Sequence, residues 1–175
     1  MHGKQVRISQ FRERNKSKHW TPSAELVSFL EAHPNPLYIG FGSMVNGRPK
    51  QIGSDILEVT KSLHQPVLIN SSWGGIEIEG TLPDHAFMVS DIPYDRLFEK
   101  VSAVVHHGGS GTTHSALRFE RRQLNIPHTG DQLLWNRLFH RAGYGPLAFP
   151  IKTWSKTQFS STLQALHQHE LNIFF

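Results

Sequence analysis

Residues 103–114, AVVHHGGSGTTH, run from an apolar segment through a glycine-rich turn into a helical pattern. Glycine at such a turn lets the backbone approach a ligand closely. The free amides at a helix start, together with the positive end of the helix dipole, favour an anion such as a phosphate. A purely structural turn is the alternative interpretation. The turn lacks the Lys of G-x-x-x-x-G-K-[ST] and does not fit G-x-G-x-x-G, so it gives little support to ATP hydrolysis or NAD binding.

The rest of the chain alternates short apolar runs with helical patterns. The predicted strands are Leu37–Phe41, Pro66–Asn70, Ala86–Val89, Ala103–His106 and Gln123–Ile126, with Leu147–Phe149 as a candidate sixth. The predicted helices are a first one capped by Thr21 with Pro22 at its first position, then Pro49–His64, Gly111–Phe119, Asp131–Ala142 and Ser155–His167. This alternation predicts an α/β fold, a Rossmann-like parallel sheet with helices on both faces.

Charge is distributed unevenly along the chain. The 175 residues carry a formal net charge of +4, which by itself suggests a polyanionic partner. Residues 1–20, however, hold six Lys or Arg and one Glu, and the remainder is close to neutral. We therefore assign residues 1–19 to a basic linker or tail and residues 20–175 to one folded domain. We expect no nucleic-acid partner, because that hypothesis rests only on the charge of the tail.

Two absences in the sequence narrow the class of protein. The chain contains no cysteine, which excludes a disulfide scaffold, Cys-bound zinc and a thiol nucleophile. No run approaches 18 apolar residues, and the first 20 residues lack the apolar core of a signal peptide. The expectation is a cytoplasmic protein without a transmembrane segment.

Three further predicted strands are each followed by groups suited to a ligand, namely Gly42-Ser43, Trp73 and Asp131-Gln132. In an open parallel sheet, ligands bind at the carboxyl ends of the strands. These residues offer an amide with a hydroxyl, an indole that can stack on a nucleobase, and a carboxylate with an amide that can bind sugar hydroxyls. Together with the glycine-rich turn they predict a site for a base, a diphosphate and a sugar. A simple helix N-cap is the alternative interpretation for Asp131.

Several longer motifs follow one another between about His19 and Leu166, namely PLYIGFGSM, SSWGG, VHHGGSGTTHSALR and PHTGDQLLWNRLFHRAGYGP. This sequence resembles the donor-binding C-terminal domain of the nucleotide-sugar-dependent GT-B glycosyltransferases. The branch to which it is most similar contains sterol glucosyltransferases and antibiotic-modifying, erythromycin CIII-like enzymes. The resemblance implies the C-terminal, Rossmann-like half of the two-domain GT-B fold.

The resemblance also implies a UDP- or dTDP-sugar donor and, residue by residue, its contacts. Ser43 corresponds to a loop residue near the phosphates, and Trp73 to the aromatic side chain that stacks on the base. Val89 begins the segment, up to Ile92, whose backbone contacts the base edge. The implied diphosphate and sugar contacts are His107, Gly109, Ser110, Gly111 and Thr112, followed by Asp131 and Gln132. The family uses no metal and no further cofactor, so the helix dipole and the histidine are expected to stabilise the leaving diphosphate.

The chain departs from the family pattern in three places, one of which is Tyr94-Asp95-Arg96, where the family has a His-Asp pair followed by Trp. Ser115 stands where many relatives have a Glu that contacts ribose, so ribose recognition is open. Residues 118–123, RFERRQ, replace the usual R-A-G-V-P-Q. Without that Gly and Pro we expect Phe119–Arg122 to form an altered turn. The family's N-terminal domain, with the acceptor pocket and the catalytic His and its Asp partner, is absent from this sequence.

Five of the twelve histidines fall within 35 residues, which raises the question of a metal site. Neighbouring residues on a strand point to opposite faces, so His106 and His107 are not expected to share a metal ion. We assign His106 to the core and His107 to the diphosphate. His128 and His140 are expected at structural or surface positions.

The sequence therefore predicts the donor-binding half of an inverting glycosyltransferase that transfers a hexose to a hydroxyl of a small lipophilic acceptor. The expected base lies in the acceptor domain, so no catalytic residue is assigned to this chain, and alone it should not turn over. Two alternatives are open. The chain is the donor-binding subunit of a split two-chain transferase whose partner binds the acceptor, or it is a truncated, inactive relic.

Overall fold

The computed structural model describes residues 20–71 and 73–168. One parallel sheet in the order β3-β2-β1-β4-β5 is formed by β1 (Leu37–Gly40), β2 (Val67–Asn70), β3 (Ala86–Met88), β4 (Ala103–His106) and β5 (Arg122–Asn125). The helices around it are α1 (Ala24–Ala32), α2 (Pro49–Ser62), α3 (Tyr94–Leu97), α4 (Ser110–Arg118), α5 (Gly130–Arg141) and α6 (Lys156–Gln168), with a 3-10 turn at Ile151–Thr153. The predicted basic tail and residues 169–175 lie outside the described residues.

Both faces of the sheet are covered, which explains why its strands are apolar without alternation. On one face, strand residues such as Ile39 and Val67 pack against α2 and α6. On the other face, Tyr38, Leu68 and Val104 pack against α1, α3 and α4. The predicted α/β fold with helices on both faces is confirmed. Within the described residues, no helix has the length and apolar content needed to cross a membrane.

The strand order places a topological switch between β1 and β4. From β1 the chain continues outward to β2 and β3, and then returns to the other side of β1 through β4 and β5. Gly40, the last residue of β1, is paired with His106, the last residue of β4. In open α/β sheets, the crevice beyond the strand ends at such a switch is where ligands bind. The fold thus brings the glycine-rich turn and the loop after β1 to one place.

Several predicted boundaries are wrong for identifiable reasons. The first helix is capped by Ser23, whose hydroxyl accepts the Leu26 N–H at 3.3 Å, and not by Thr21. The segment Leu147–Phe149 is not a strand, because the Asn136 side chain, rather than a neighbouring strand, pairs with the backbone of Ala148 at 2.8 and 3.3 Å. The four-residue helix α3 was not predicted, since it is too short to show periodicity.

The turn between α4 and β5 contains the residues that replace the family's Gly and Pro. It nevertheless has the hydrogen bonds that close a helix C-terminus. Glu120 N–H donates to Leu117 O and Arg121 N–H donates to Ala116 O, both at 2.9 Å. This is the Schellman pattern of a helix C-terminus. Glu120 has a φ of 54°, in the left-handed region that favours glycine. The turn therefore forms with a residue that is strained in this conformation.

Candidate functional site at the carboxyl edge of the sheet

The glycine-rich turn is anchored from below by His106, which is completely buried. Its Nδ1 accepts the Gly108 N–H at 3.1 Å, so its Nε2 carries the hydrogen and donates to Gln123 Oε1 at 2.9 Å. Burial lowers the pKa of His106 to about 3, so the ring is neutral. This network holds Gly108 at a φ of 86°, a conformation for which glycine is suited. The expected core position of His106 agrees with this geometry.

His107 lies between two glycines, one from each side of the topological switch. A Cβ at Gly42, in the loop after β1, would approach His107 Cε1 to 2.9 Å, and a Cβ at Gly109 would overlap Nε2. Both positions are therefore restricted to glycine while the ring stays where it is. Burial lowers the pKa of His107, and the nearby Asp131 carboxylate opposes this effect. The ring is thus neutral near pH 7 and lies over the start of α4.

The first turn of α4 has no side-chain cap. Gly109 is the N-cap residue, and no side chain hydrogen-bonds to the amides at this end. The first amides of a helix have no acceptor within the helix, and Ser110 and Gly111 are exposed. Thr112 is buried, and its hydroxyl donates to Tyr94 Oη at 3.4 Å. The turn can therefore offer the amides and the Ser110 hydroxyl to an anion, while the Thr112 hydroxyl points elsewhere.

The two residues predicted to bind a sugar lie at the start of α5 in different environments. Asp131 is exposed, and its Oδ1 accepts the Thr129 hydroxyl at 2.9 Å. Gln132 is buried, and its Oε1 accepts the backbone N–H groups of His128 and Thr129 at 2.7 and 3.2 Å. Thr129 is the N-cap, so the alternative interpretation of Asp131 as the cap is wrong. The Asp131 carboxylate is open to a ligand, whereas the Gln132 carbonyl is used within the chain.

The loop after β1 connects the neighbouring parts of the site. Met44 Sδ lies 3.6 Å from Gln132 Nε2, and Asn46 Nδ2 donates to Gly75 O at 2.6 Å. Ser43, in the same loop, is exposed. Sequence reasoning did not identify Asn46, whose only signal is a polar side chain in a glycine-containing loop. The loop thus joins the start of α5 to the segment after β2.

The residues predicted to contact the base and ribose flank this loop. Trp73, after β2, is 76% exposed, so its indole face is available. The Val89 side chain is buried, and its backbone N–H donates to Ile69 O at 2.8 Å. The part of this segment that can contact a ligand is therefore the backbone after Val89. Ser115 is buried in α4. The structure places Trp73 and Val89 beyond the ends of adjacent strands, β2 and β3.

Sequence reasoning assigned His128 to a structural or surface position, and the structure places its ring beside that of His107. The ring centroid lies 6.4 Å from that of His107 and 4.9 Å from that of Phe41. His128 Nδ1 lies 3.0 Å from Ile126 O, to which it donates. Burial lowers the pKa of His128 to about 4. His128 follows the end of β5 by three positions, next to Pro127, in the loop that leads into α5.

Across residues 20–71 and 73–168, no three His, Asp or Glu side chains are grouped so that they could hold a metal ion. The groups available to an anion in this region are backbone amides, a hydroxyl and imidazole rings.

This combination of a parallel sheet, a topological switch and an uncapped helix start defines an α/β domain of the Rossmann-like class. Residues 55–169 match the family described as erythromycin biosynthesis protein CIII-like, C-terminal domain. The chain belongs to this family and is a C-terminal domain of the GT-B glycosyltransferase type.

Two curated relatives show the range of the family. The sterol 3-beta-glucosyltransferase UGT80B1 of Arabidopsis thaliana is 37% identical over 158 residues, which cover 90% of this chain and 26% of the relative. The vancomycin aglycone glucosyltransferase of Amycolatopsis orientalis is 35% identical over 113 residues, covering 63% of this chain and 26% of the relative. The chain therefore spans about a quarter of the length of these proteins.

A solved structure supports the same fold. The crystal structure of Arabidopsis thaliana UGT89C1 complexed with UDP is similar to this chain with a TM-score of 0.66 and 15% sequence identity. The similarity covers 87% of this chain and 39% of that one. At this identity the comparison shows the fold alone, and it confirms the predicted Rossmann-like half of a GT-B enzyme.

Proposed function

We propose that this chain binds a UDP- or dTDP-sugar as the donor half of an inverting hexosyltransferase whose acceptor is a small lipophilic alcohol. The observation that carries the proposal is the position of His107, held between Gly42 and Gly109 over the uncapped start of α4. A diphosphate at this point would receive hydrogen bonds from the helix amides and from the ring. It would also lie at the positive end of the helix dipole.

The other parts of the donor follow from the surroundings of this point. Trp73 offers an exposed indole for stacking on the base. Asp131, exposed at the start of α5, would accept hydrogen bonds from the sugar hydroxyls. The relatives named above are a sterol and an aglycone glucosyltransferase, which supports a hexose donor and a lipophilic acceptor for this chain as well.

In the proposed reaction, an acceptor hydroxyl attacks the anomeric carbon while the bond from that carbon to the diphosphate breaks. The hydroxyl proton passes to a base on the acceptor-binding part of the enzyme, which is a separate segment or subunit. The nucleoside diphosphate leaves, and the configuration at the anomeric carbon inverts. The contribution of this chain is to orient the donor and to stabilise the charge that develops on the leaving group.

Calorimetry with the 175-residue chain tests the donor site directly. UDP, UDP-glucose and dTDP-glucose are titrated separately, and binding of at least one of them in the micromolar to low millimolar range is expected. No heat with any of the three at millimolar nucleotide, in a chain shown to be folded, contradicts the proposal and favours an inactive relic.

Two substitutions test the assignment of the site. His107→Ala should weaken UDP binding by about ten- to a hundredfold, because a hydrogen bond to a charged group contributes about 1.5–3 kcal/mol. Trp73→Ala removes the stacking surface and should weaken binding of the same nucleotide. His140→Ala is the matched control, since this side chain of α5 is exposed, with Nδ1 beside Gly145 O at 3.1 Å. Unchanged affinity in both site variants would refute the assignment.

A further inference from the structure

Two imidazole rings with unused nitrogens lie side by side at the proposed donor site. The rings of His107 and His128 are nearly perpendicular, with centroids 6.4 Å apart. Among the described residues, neither Nδ1 of His107 nor Nε2 of His128 has a hydrogen-bond partner, and both atoms are buried. Because His128 donates through Nδ1 to Ile126 O, its Nε2 carries a lone pair. The pair therefore combines a possible donor with an acceptor.

The groups that face the two rings leave them neutral in the free protein. Gly42 and Gly109 on either side of His107 carry no charge, and the neighbour of His128 on β1 is the Phe41 ring. The charged or titratable groups that act on the pair are Asp131 and His106, besides the two rings themselves. Of the charged groups that act on His107, the exposed Asp131 carboxylate favours a positive charge on the ring.

A bound diphosphate changes this balance. It brings negative charge to the Nε2 side of His107, which favours a second proton on the ring. The resulting Nδ1–H would be buried, and a buried donor without an acceptor costs about 1–3 kcal/mol. The Nε2 lone pair of the adjacent His128 ring is suited to accept that hydrogen after a small movement of the rings.

We propose, on the basis of the donor site proposed above, that His128 is a positioning residue that accepts the Nδ1–H of His107 in the donor-bound state. His107 then binds the diphosphate as an imidazolium through its Nε2–H. The extra proton comes from solvent when the donor binds, and it returns to solvent when the nucleotide leaves. Donor binding is therefore coupled to the uptake of a proton, and the coupling depends on His128.

Proton uptake is measurable with UDP-glucose, because both of its phosphates are esterified and do not titrate near neutral pH. Calorimetry at about pH 7.5 in buffers of different ionisation enthalpy gives the number of protons taken up. For the wild-type chain we expect a value above about one half, with affinity that rises by up to about tenfold for each unit that the pH falls. Towards about pH 9 the uptake should disappear.

Three variants distinguish a positioning role of His128 from a role in packing alone. His128→Phe keeps a ring against Phe41 but removes the acceptor, and it should reduce proton uptake by at least half and flatten the pH dependence of affinity. His128→Gln restores an acceptor that does not titrate and should recover most of the uptake. His140→Phe, a matched exchange away from the rings, should leave both quantities unchanged.

The experiment distinguishes failure of the role proposed for His128 from failure of the proposed donor site. If the wild-type chain does not bind UDP-glucose, the donor site itself is wrong. If the wild-type chain binds but His128→Phe takes up as many protons, the role of His128 is overturned and the donor site stands. Should His128→Phe not fold, nitrogen-15 spectra of the wild-type histidines decide. UDP-glucose should convert His107 Nδ1 from an unprotonated to a protonated nitrogen, and no conversion contradicts the proposal.

Discussion

Two helices begin at the carboxyl edge of the sheet, and their first turns are completed in opposite ways. At the start of α5, the Gln132 side chain turns back and accepts the N–H groups of His128 and Thr129. At the start of α4, Gly109 provides no side chain, and the neighbouring positions are exposed. Both helices follow parallel strands that lie side by side. The difference is therefore local and is determined by a few side chains.

The same sheet edge therefore carries two kinds of helix start. The start of α5 is closed by side-chain hydrogen bonds, and the start of α4 leaves its amides open to a ligand. A glycine at the N-cap position costs a helix only about a few tenths of a kcal/mol relative to Ser, Thr, Asn or Asp, and at α4 it leaves the amides available. At α5 the backbone amides just before the helix are satisfied internally, and the Asp131 carboxylate is exposed. An anion is thus expected at α4 and hydroxyl groups at α5.

The largest effect is expected from acid, because both helix starts depend on neutral histidines. The pKa values of His106 and His128 are lowered to about 3 and about 4, whereas an unfolded histidine titrates at about 6.5. Below about pH 6.5 the unfolded chain binds more protons, so stability falls as the pH falls towards these values. Between about pH 7 and pH 4.5 we expect a loss of about 2–3 kcal/mol from the fully buried His106 alone. His128 adds a smaller loss, because solvent screens the charge of its half-buried ring.

Urea unfolding at the two pH values measures this loss. His128→Phe should show a smaller loss than the wild-type chain, while His140→Phe should match the wild type. Equal pH dependence in all three proteins would mean that His128 is not held neutral by the fold.

The fold could be predicted from the sequence to the extent that local patterns determine it. The apolar runs that became β1, β2 and β4 are bounded by Pro or Gly, and a parallel sheet buries them on both faces. The segment Leu147–Phe149 shows the same kind of pattern, but a side chain distant in sequence, Asn136, occupies its hydrogen bonds. Such a competitor is visible only in three dimensions.

The sequence predicts where the candidate site residues lie in the fold better than it predicts how their side chains are oriented. The turn at His107 and the carboxylate of Asp131 lie where the order of strands and loops indicated. The inward orientation of the Gln132 side chain and the approach of His128 to His107 involve neighbours distant in sequence, such as Met44 beside Gln132. A motif specifies residue types and spacing, and it does not specify which of two adjacent side chains turns inward.

The next largest effect is expected from adding a side chain at Gly109, where α4 begins. In Gly109→Ala the new Cβ would overlap His107 Nε2, so the ring must leave its place over the helix. We expect UDP affinity to fall by at least about tenfold, which corresponds to about 1.4 kcal/mol. Gly47→Ala, in the loop before α2, places its Cβ where no atom lies within 4 Å and is the matched control. Equal losses in the two variants would show that the ring position is unimportant.

At the start of α5, where side chains accept the backbone N–H groups, a substitution is expected to change the free energy of unfolding instead of UDP affinity. Gln132→Ala leaves the N–H groups of His128 and Thr129 without their acceptor, and we expect the free energy of unfolding to fall by about 1 kcal/mol. Gln132→Glu keeps an acceptor at the same reach and should recover most of this loss. If urea denaturation shows no change in Gln132→Ala, the contrast between the two helix starts is weaker than the hydrogen bonds suggest.

The smallest effect is expected at the opposite end of α4, where the helix is closed by hydrogen bonds but at the cost of strain. Glu120 adopts a φ of 54° in the turn to β5, so Glu120→Gly should relieve the steric cost of a side chain there. The gain is partly offset by the greater backbone entropy of glycine in the unfolded chain, which leaves a net stabilisation of about 0.5–1 kcal/mol. Glu120→Ala removes the same carboxylate but keeps the Cβ, and it should not be stabilised. Comparable unfolding free energies for the Gly and Ala variants would show that the charge of Glu120, and not its backbone conformation, determines the stability of this turn.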